Sequence, residues 1–131
     1  MGTTYLLDTN TVIYYLDAIL PEKSLDFIEE KLDATGSFIS IISKIELLGW
    51  QAPTMGAMRQ VEKFVEDSTT VYLTDEIADK AIEIKRTKKI KLPDAVIAAT
   101  ALVHDLTLIS RNDDDFRKIP GLKYLNPFTD V

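Results

Sequence analysis

Alternation constrains this chain more than any other feature: short apolar runs of strand character recur, each followed by a stretch with helical spacing. Tyr5-Leu6-Leu7 reads as a buried strand, and Thr11 to Leu16 follows as a helix with Val12, Ile13 and Leu16 on one face. Pro21 opens a second helix carrying Leu25, Ile28 and Leu32, and Thr35-Gly36-Ser37 closes it. Phe38 to Ile42 is rich in β-formers, and Lys44 to Trp50 is helical again. Pro53 and Gly56 mark a break before a helix built on Met58, Val61 and Val65. Val71-Tyr72-Leu73 reads as a third strand, and Thr74 caps a helix through Ile77, Ala81 and Ile84. Pro93 starts an almost wholly apolar helix from Asp94 to about His104. Thr107-Leu108-Ile109 is a fourth strand, and Leu122 to Leu125 a fifth, ended by Asn126-Pro127. This order predicts an α/β fold, a three-layer α/β/α sandwich around a mostly parallel sheet of four to five strands. No repeat or linker divides the 131 residues, so 1–131 is expected to be a single domain.

Composition then removes whole classes of chemistry. With no cysteine, disulfides, iron–sulfur clusters and thiol nucleophiles are excluded. One histidine, His104, excludes two-His acid–base cleavage of RNA and a multi-His zinc site; it reads as structural. Met55 and Met58 read as packing residues. No basic segment leads into a long apolar run, and no stretch reaches the ~18–20 apolar residues of a membrane span, so a cytoplasmic protein without membrane contact is expected. A net charge of −6 counts against nucleic acid as a partner unless the acids are gathered in one place.

They are so gathered. Ligands of open α/β sheets bind beyond the carboxyl ends of the strands. Asp8 follows the first strand, Glu46 lies four residues past the second, Asp94 opens the apolar helix, and Asp113 to Asp115 follow the fourth strand. Singly, each has an ordinary role as a helix cap, a turn former or a surface charge. Together they are harder to explain, because carboxylates within ~5 Å repel by roughly 3 kcal/mol per pair at an effective dielectric near 20. Protons or cations must neutralise such a cluster. Oxygen donors without His or Cys favour Mg²⁺, with Mn²⁺ as a substitute. A carboxylate-held Mg²⁺ binds substrate phosphate and activates water, which is the chemistry of phosphodiester hydrolysis.

A basic stretch stands just upstream of Asp94. Lys80, Lys85, Arg86, Lys88, Lys89 and Lys91 place six of the fifteen cations within twelve residues. They suit either a solvated helix end or a track for a phosphate backbone, with Lys88, Lys89 and Lys91 nearest the acids. Arg111 and Lys118 flank the last acidic run and suit the same role.

Leu6-Leu7-Asp8-Thr9-Asn10, Ser43-Lys44-Ile45-Glu46-Leu47, Leu92-Pro93-Asp94 through Ala101, and Leu108-Ile109-Ser110-Arg111-Asn112 through Asp115-Phe116 together resemble the PIN-domain ribonucleases. The resemblance is to the VapC-like toxins of type II toxin–antitoxin pairs in particular, and it weakens around Gln51 to Ser68. It implies that Asp8 and Asp94 are the main Mg²⁺ ligands and that Glu46 completes the set directly or through water. For the fourth position Asn112, Asp113 and Asp115 compete; Asp113 is favoured, with Asp115 second. Thr9 and Ser110 would orient the carboxylates, with Asn112 beside them, and Asn10 would cap a helix or meet substrate. The resemblance also implies a homodimer and a cognate antitoxin, for which Tyr14, Tyr15 and Trp50 suit an apolar groove.

The leading expectation is therefore a Mg²⁺-dependent endoribonuclease. The alternatives are a DNA- or flap-directed nuclease using the same acids, and a non-catalytic PIN-fold binding protein. A phosphoacceptor of the response-regulator kind expects adjacent acids after its first strand, and Leu7-Asp8-Thr9 offers one.

Overall fold

Five strands of two or three residues pair in parallel in the order β3-β2-β1-β4-β5. They are β1 (Tyr5–Leu7), β2 (Phe38–Ser40), β3 (Thr69–Val71), β4 (Thr107–Ile109) and β5 (Tyr124–Leu125). The computed structural model describes residues 3–131. Between the strands run α1 (Thr9–Leu16), α2 (Glu22–Thr35), α3 (Ile41–Leu48), α4 (Met55–Asp67), α5 (Asp75–Thr87), α6 (Leu92–Val103) and α7 (Asp113–Phe116).

The period of two in the strands sorts the core into two layers. Leu6 and Leu108 face one side, where they pack with Ile77, Ala81 and Ile84 of α5 and the Ala95–Ala101 stretch of α6. Tyr5, Leu7, Ile39 and Ile109 face the other, against Val12 of α1, Ile28 of α2 and Val61 and Val65 of α4. The central strand β1 is buried on both faces and is a continuous apolar run, as the middle of a parallel sheet requires, whereas edge strand β3, Thr69–Val71, is partly exposed. The expected three-layer sandwich is the observed one.

Several boundaries differ from the sequence expectation. The second strand stops at Ser40, because the Ser40 side chain accepts from the Ile42 amide at 3.0 Å and caps α3 there. Ile41 and Ile42 are β-branched but helical, and Glu46 sits in the second turn of α3, six residues beyond the strand. The third strand is Thr69–Val71, earlier than expected; Tyr72 and Leu73 lie beyond it, exposed. Gly56 lies inside α4, which Thr54 caps through the Ala57 amide at 3.0 Å. His104 is the C-cap of α6 and is exposed.

The strand order reverses between β1 and β4: the chain steps outward from β1 through β2 to β3, then returns to lay β4 and β5 on the other side. That reversal opens a crevice at the carboxyl ends of the two central strands.

Candidate active site

Asp8 and Ser110 leave β1 and β4 at this crevice. Ser110 Oγ donates to Asp8 Oδ2 at 2.8 Å, and the Thr9 amide donates to Oδ1 at 2.8 Å. Thr11 Oγ1 donates to the Ile109 carbonyl at 3.0 Å and locks α1 onto β4 from within the core. Both Asp8 oxygens are thus oriented, and each keeps a free lone pair. The side chain is buried, and desolvation pushes its pKa up against the lowering effect of the Ser110 and Thr9 hydrogen bonds.

Around Asp8 lies a cavity of about 650 Å³ whose lining includes Thr9, Asn10, Glu46, Lys91, Asp94, Ser110, Arg111 and Asn112. Glu46 reaches it from α3, where the Thr9 hydroxyl donates to Oε1 at 2.6 Å and lies 3.0 Å from Ser43 Oγ. Asp94 comes from the first turn of α6, after Pro93. Burial first, then the charges of Asp8, Asp115 and Glu46, raise its pKa to about 6, with Lys91 opposing. Asp8, Glu46 and Asp94, from three separate segments, line one cavity, and the charge of Asp115 reaches Asp94 from outside that lining. Among the described residues, Asp8, Glu46 and Asp94 form no ion pair. Nor do any three acidic or imidazole side chains converge as a ready-made cage for an ion.

The last acidic run divides. Asn112 Nδ2 donates to Asp115 at 2.8 Å, the Asn112 amide donates to Ser110 Oγ at 3.1 Å, and the Asp115 charge reaches Asp94. Asp113, the favoured fourth position, is turned elsewhere. Its Oδ1 accepts from the Tyr124 phenol at 2.6 Å and from Asn126 Nδ2 at 3.0 Å, and Arg117 Nε lies 3.3 Å away. The Tyr124 and Asn126 hydrogen bonds hold its carboxyl below the usual range, helped by Arg117. Two positions apart on a helix are about 200° apart around its axis, so one faces the crevice and the other β5.

The basic residues divide as well. Lys91 and Arg111 line the cavity, whereas Lys88 and Lys89 lie outside its wall. Lys85 Nζ donates to the Ile90 carbonyl at 2.7 Å and Lys118 Nζ to the Lys89 carbonyl at 2.7 Å, so both brace the loop before α6. Tyr14 and Trp50, with Ile13, form an apolar side of the cavity; Tyr15 instead packs on Phe64, ring centres 6.1 Å apart. Tyr124, Asn126 and Phe128 were not singled out from sequence, although Asn126-Pro127 was read as a strand end. An Asn–Pro turn after a terminal strand is the signal that could have found them.

A family model described as the PIN domain matches residues 5–122. The chain belongs to the PIN-domain family. Solved structures repeat the fold over nearly the whole length. A chain of the VapBC2 complex from Rickettsia felis, bound to a DNA fragment from its promoter, has a TM-score of 0.78 at 20% identity, with 95% of this chain and 98% of that one covered. DNA-bound VapBC from Salmonella typhimurium has a TM-score of 0.77 at 22% identity, covering 96% and 99%. A toxin–antitoxin complex from Klebsiella pneumoniae has a TM-score of 0.72 at 29% identity, covering 95% and 98%. No curated protein sequence matches significantly.

Proposed function

We propose that this PIN-domain chain is a Mg²⁺-dependent endoribonuclease, the toxin of a toxin–antitoxin pair acting in the cytoplasm. The observation that carries this is one cavity lined by Asp8, Glu46 and Asp94, none of them in an ion pair among the described residues, where burial and neighbouring charges raise the Asp94 pKa to about 6. A fold that gathers such charge without an ion pair leaves a place for a cation.

The donors fit Mg²⁺. They are hard oxygens, and Asp8 holds one lone pair free on each oxygen while Ser110 and Thr9 fix its orientation. Mg²⁺ is usually held by one or two carboxylates, waters and substrate phosphate, so no closed cage is required. Asp8 and Asp94 would hold it, with Glu46 and Asp115 acting through water. Bound there, Mg²⁺ supplies Lewis acidity, lowering the pKa of a water and offsetting charge on the attacking and leaving oxygens of an in-line displacement. Thr9 holds Glu46 in place through its hydroxyl, and Lys91 at the cavity wall meets phosphate. Ile13, Tyr14 and Trp50 give an unstacked base an apolar surface, as single-stranded RNA requires.

The antitoxin partner is supported by the toxin–antitoxin complex among the structures that share the fold. A homodimer is supported by exposed apolar Leu48 on α3, Tyr72 and Leu73 just beyond β3, Ile82 on α5 and Leu92 on α6. Ile82→Glu should convert a dimer to a monomer in light scattering after size exclusion; an unchanged mass would remove that face from the interface.

The test of function is cleavage of end-labelled structured RNA in Mg²⁺ or EDTA, comparing the wild-type chain with Asp8→Asn. Metal-dependent cuts with 5′-phosphate and 3′-hydroxyl ends, lost in the variant, are expected. A 2′,3′-cyclic phosphate as the main product would sink the mechanism, and identical behaviour of the two proteins would sink the activity.

A further inference from the structure

Arg111 is the residue of the cavity whose position the acids do not explain. It stands one residue from Ser110 and lines the same cavity as Asp8, Glu46 and Asp94. Among the described residues it nevertheless forms no salt bridge with any of them. Its guanidinium instead stacks 4.0 Å from the ring centre of Phe128, with Tyr14 at 5.9 Å. The two rings meet edge to face, centres 5.4 Å apart, so they form a corner that the planar cation fits.

The corner is itself held. Asn126 is buried, and its side-chain oxygen accepts from the Phe128 amide at 2.8 Å. The Asn126 amide donates to Asp130 at 2.8 Å, and Arg117 pairs with Asp130 at 2.6 Å. The C-terminal turn is thus pinned to α7, and Phe128 is presented from a part of the chain no catalytic motif reaches.

We propose that Arg111 is a phosphate clamp for the RNA strand and that Phe128 is the positioning residue that aims it. The proposal rests on the nuclease reading of the same cavity. Stacking uses the face of the guanidinium and leaves its N–H edges free, and those edges match two oxygens of a phosphate. It also withholds the cation from the carboxylates, which would otherwise quench it and lose their affinity for metal. Arg111 would then contact a phosphate beside the scissile one, with half-buried Tyr14 in the cavity wall beside the adjoining base.

The test is fluorescence anisotropy with a labelled single-stranded oligoribonucleotide over a salt series, every protein carrying Asp94→Asn to prevent cleavage. Arg111→Ala is expected to weaken binding about tenfold and to reduce the slope of log affinity against log salt by about 0.7, the value for one phosphate on a single strand. Arg111→Lys keeps the charge but not the fork, and should recover the slope with only part of the affinity. Phe128→Ala should weaken binding about threefold, with Phe128→Tyr restoring it, in proteins whose melting temperatures stay within a few degrees of the parent. An unchanged slope in a folded Arg111→Ala protein would overturn the clamp, and Phe128→Ala at parental affinity would overturn the positioning. Loss of binding to a labelled poly-glutamate peptide but not to RNA would assign the stack to a protein carboxylate and overturn both. Cleavage is read separately: wild-type chain that cuts, with KM unchanged in Arg111→Ala, refutes this inference alone, whereas wild-type chain that never cuts refutes the nuclease.

Discussion

Two groups of carboxylates, one reached by Asp115 and the other by Asp113 from the same short helix after β4, live in opposite electrostatic conditions. Asp8, Asp94 and Glu46 line a common cavity, and burial and repulsion from Asp8, Asp115 and Glu46 raise the Asp94 pKa to about 6. Asp113 and Asp130 face Arg117, Tyr124 and the Asn126 amides, and hydrogen bonds hold both pKa values below the usual range. The second group is complete as folded. The first is not: Lys118 lies 3.7 Å from Asp115 and Lys91 lowers the Asp94 pKa, but Asp8, Glu46 and Asp94 form no ion pair among the described residues. An acid with its partners in place holds the fold together; acids crowded without partners are where the proposed Mg²⁺ would offset charge.

That contrast can be broken in order of expected effect. Asp8→Asn or Asp94→Asn should lower RNA cleavage about a thousandfold, on the scale of losing one electrostatic element of a catalytic site, while leaving metal-free melting unchanged or higher. Asp113→Asn should do the reverse, keeping activity within a few-fold and lowering the melting temperature. Parallel assays of cleavage and melting decide it, and an inactive Asp113→Asn protein of normal stability would erase the distinction.

Metal should stabilise the first group only. At a hundred times its Kd, Mg²⁺ adds about 2.7 kcal/mol to a fold that binds it at one site. Thermal melts should rise with millimolar Mg²⁺ in the wild-type chain and in Asp113→Asn, and stay flat in Asp8→Asn. A flat wild-type melt would remove the metal site.

The two groups should also respond oppositely to pH. A carboxyl raised from 3.8 to about 6 binds more protons folded than unfolded, so its contribution is greatest below pH 4 and is lost as pH climbs through 6. For half-exposed Asp94 the change is of the order of 1 kcal/mol after solvent screening. In EDTA, melting of the wild-type chain should therefore decline between pH 4.5 and about 7, and Asp94→Asn should flatten the decline. Asp113 and Asp130 carry lowered pKa values, so their contribution is present above pH 4 and lost as pH falls further. Arg117→Ala should blunt that acid limb. If Asp94→Asn leaves the neutral limb as steep as before, the repulsion in the crevice is not what sets it.

The layers, the parallel sheet and the placing of Asp8, Glu46 and Asp94 at one edge were legible in the sequence, because strand–helix alternation and Asp8 directly after a strand are local signals. Element ends were less legible. Three-residue strands offer a single period of alternation, so Val71-Tyr72-Leu73 looked as good as Thr69–Val71, and Ile41-Ile42 looked like strand until the Ser40 cap claimed them for α3. The fourth acid was illegible for a different reason. Asp113 and Asp115 have the same chemistry and adjoining positions, and what separates them is Tyr124 and Asn126, which reach Asp113 from the next strand and its turn.

The sequence by itself thus determined a PIN-type α/β sandwich with acids at the carboxyl edge of its sheet, since periodicity and side-chain order are properties of neighbouring residues. Only the tertiary structure decided which acids stay unpaired, which lysines brace a loop, and that Phe128 stacks on Arg111. Those outcomes depend on contacts between segments far apart in the chain, where distance and orientation, rather than residue type, set the electrostatic balance.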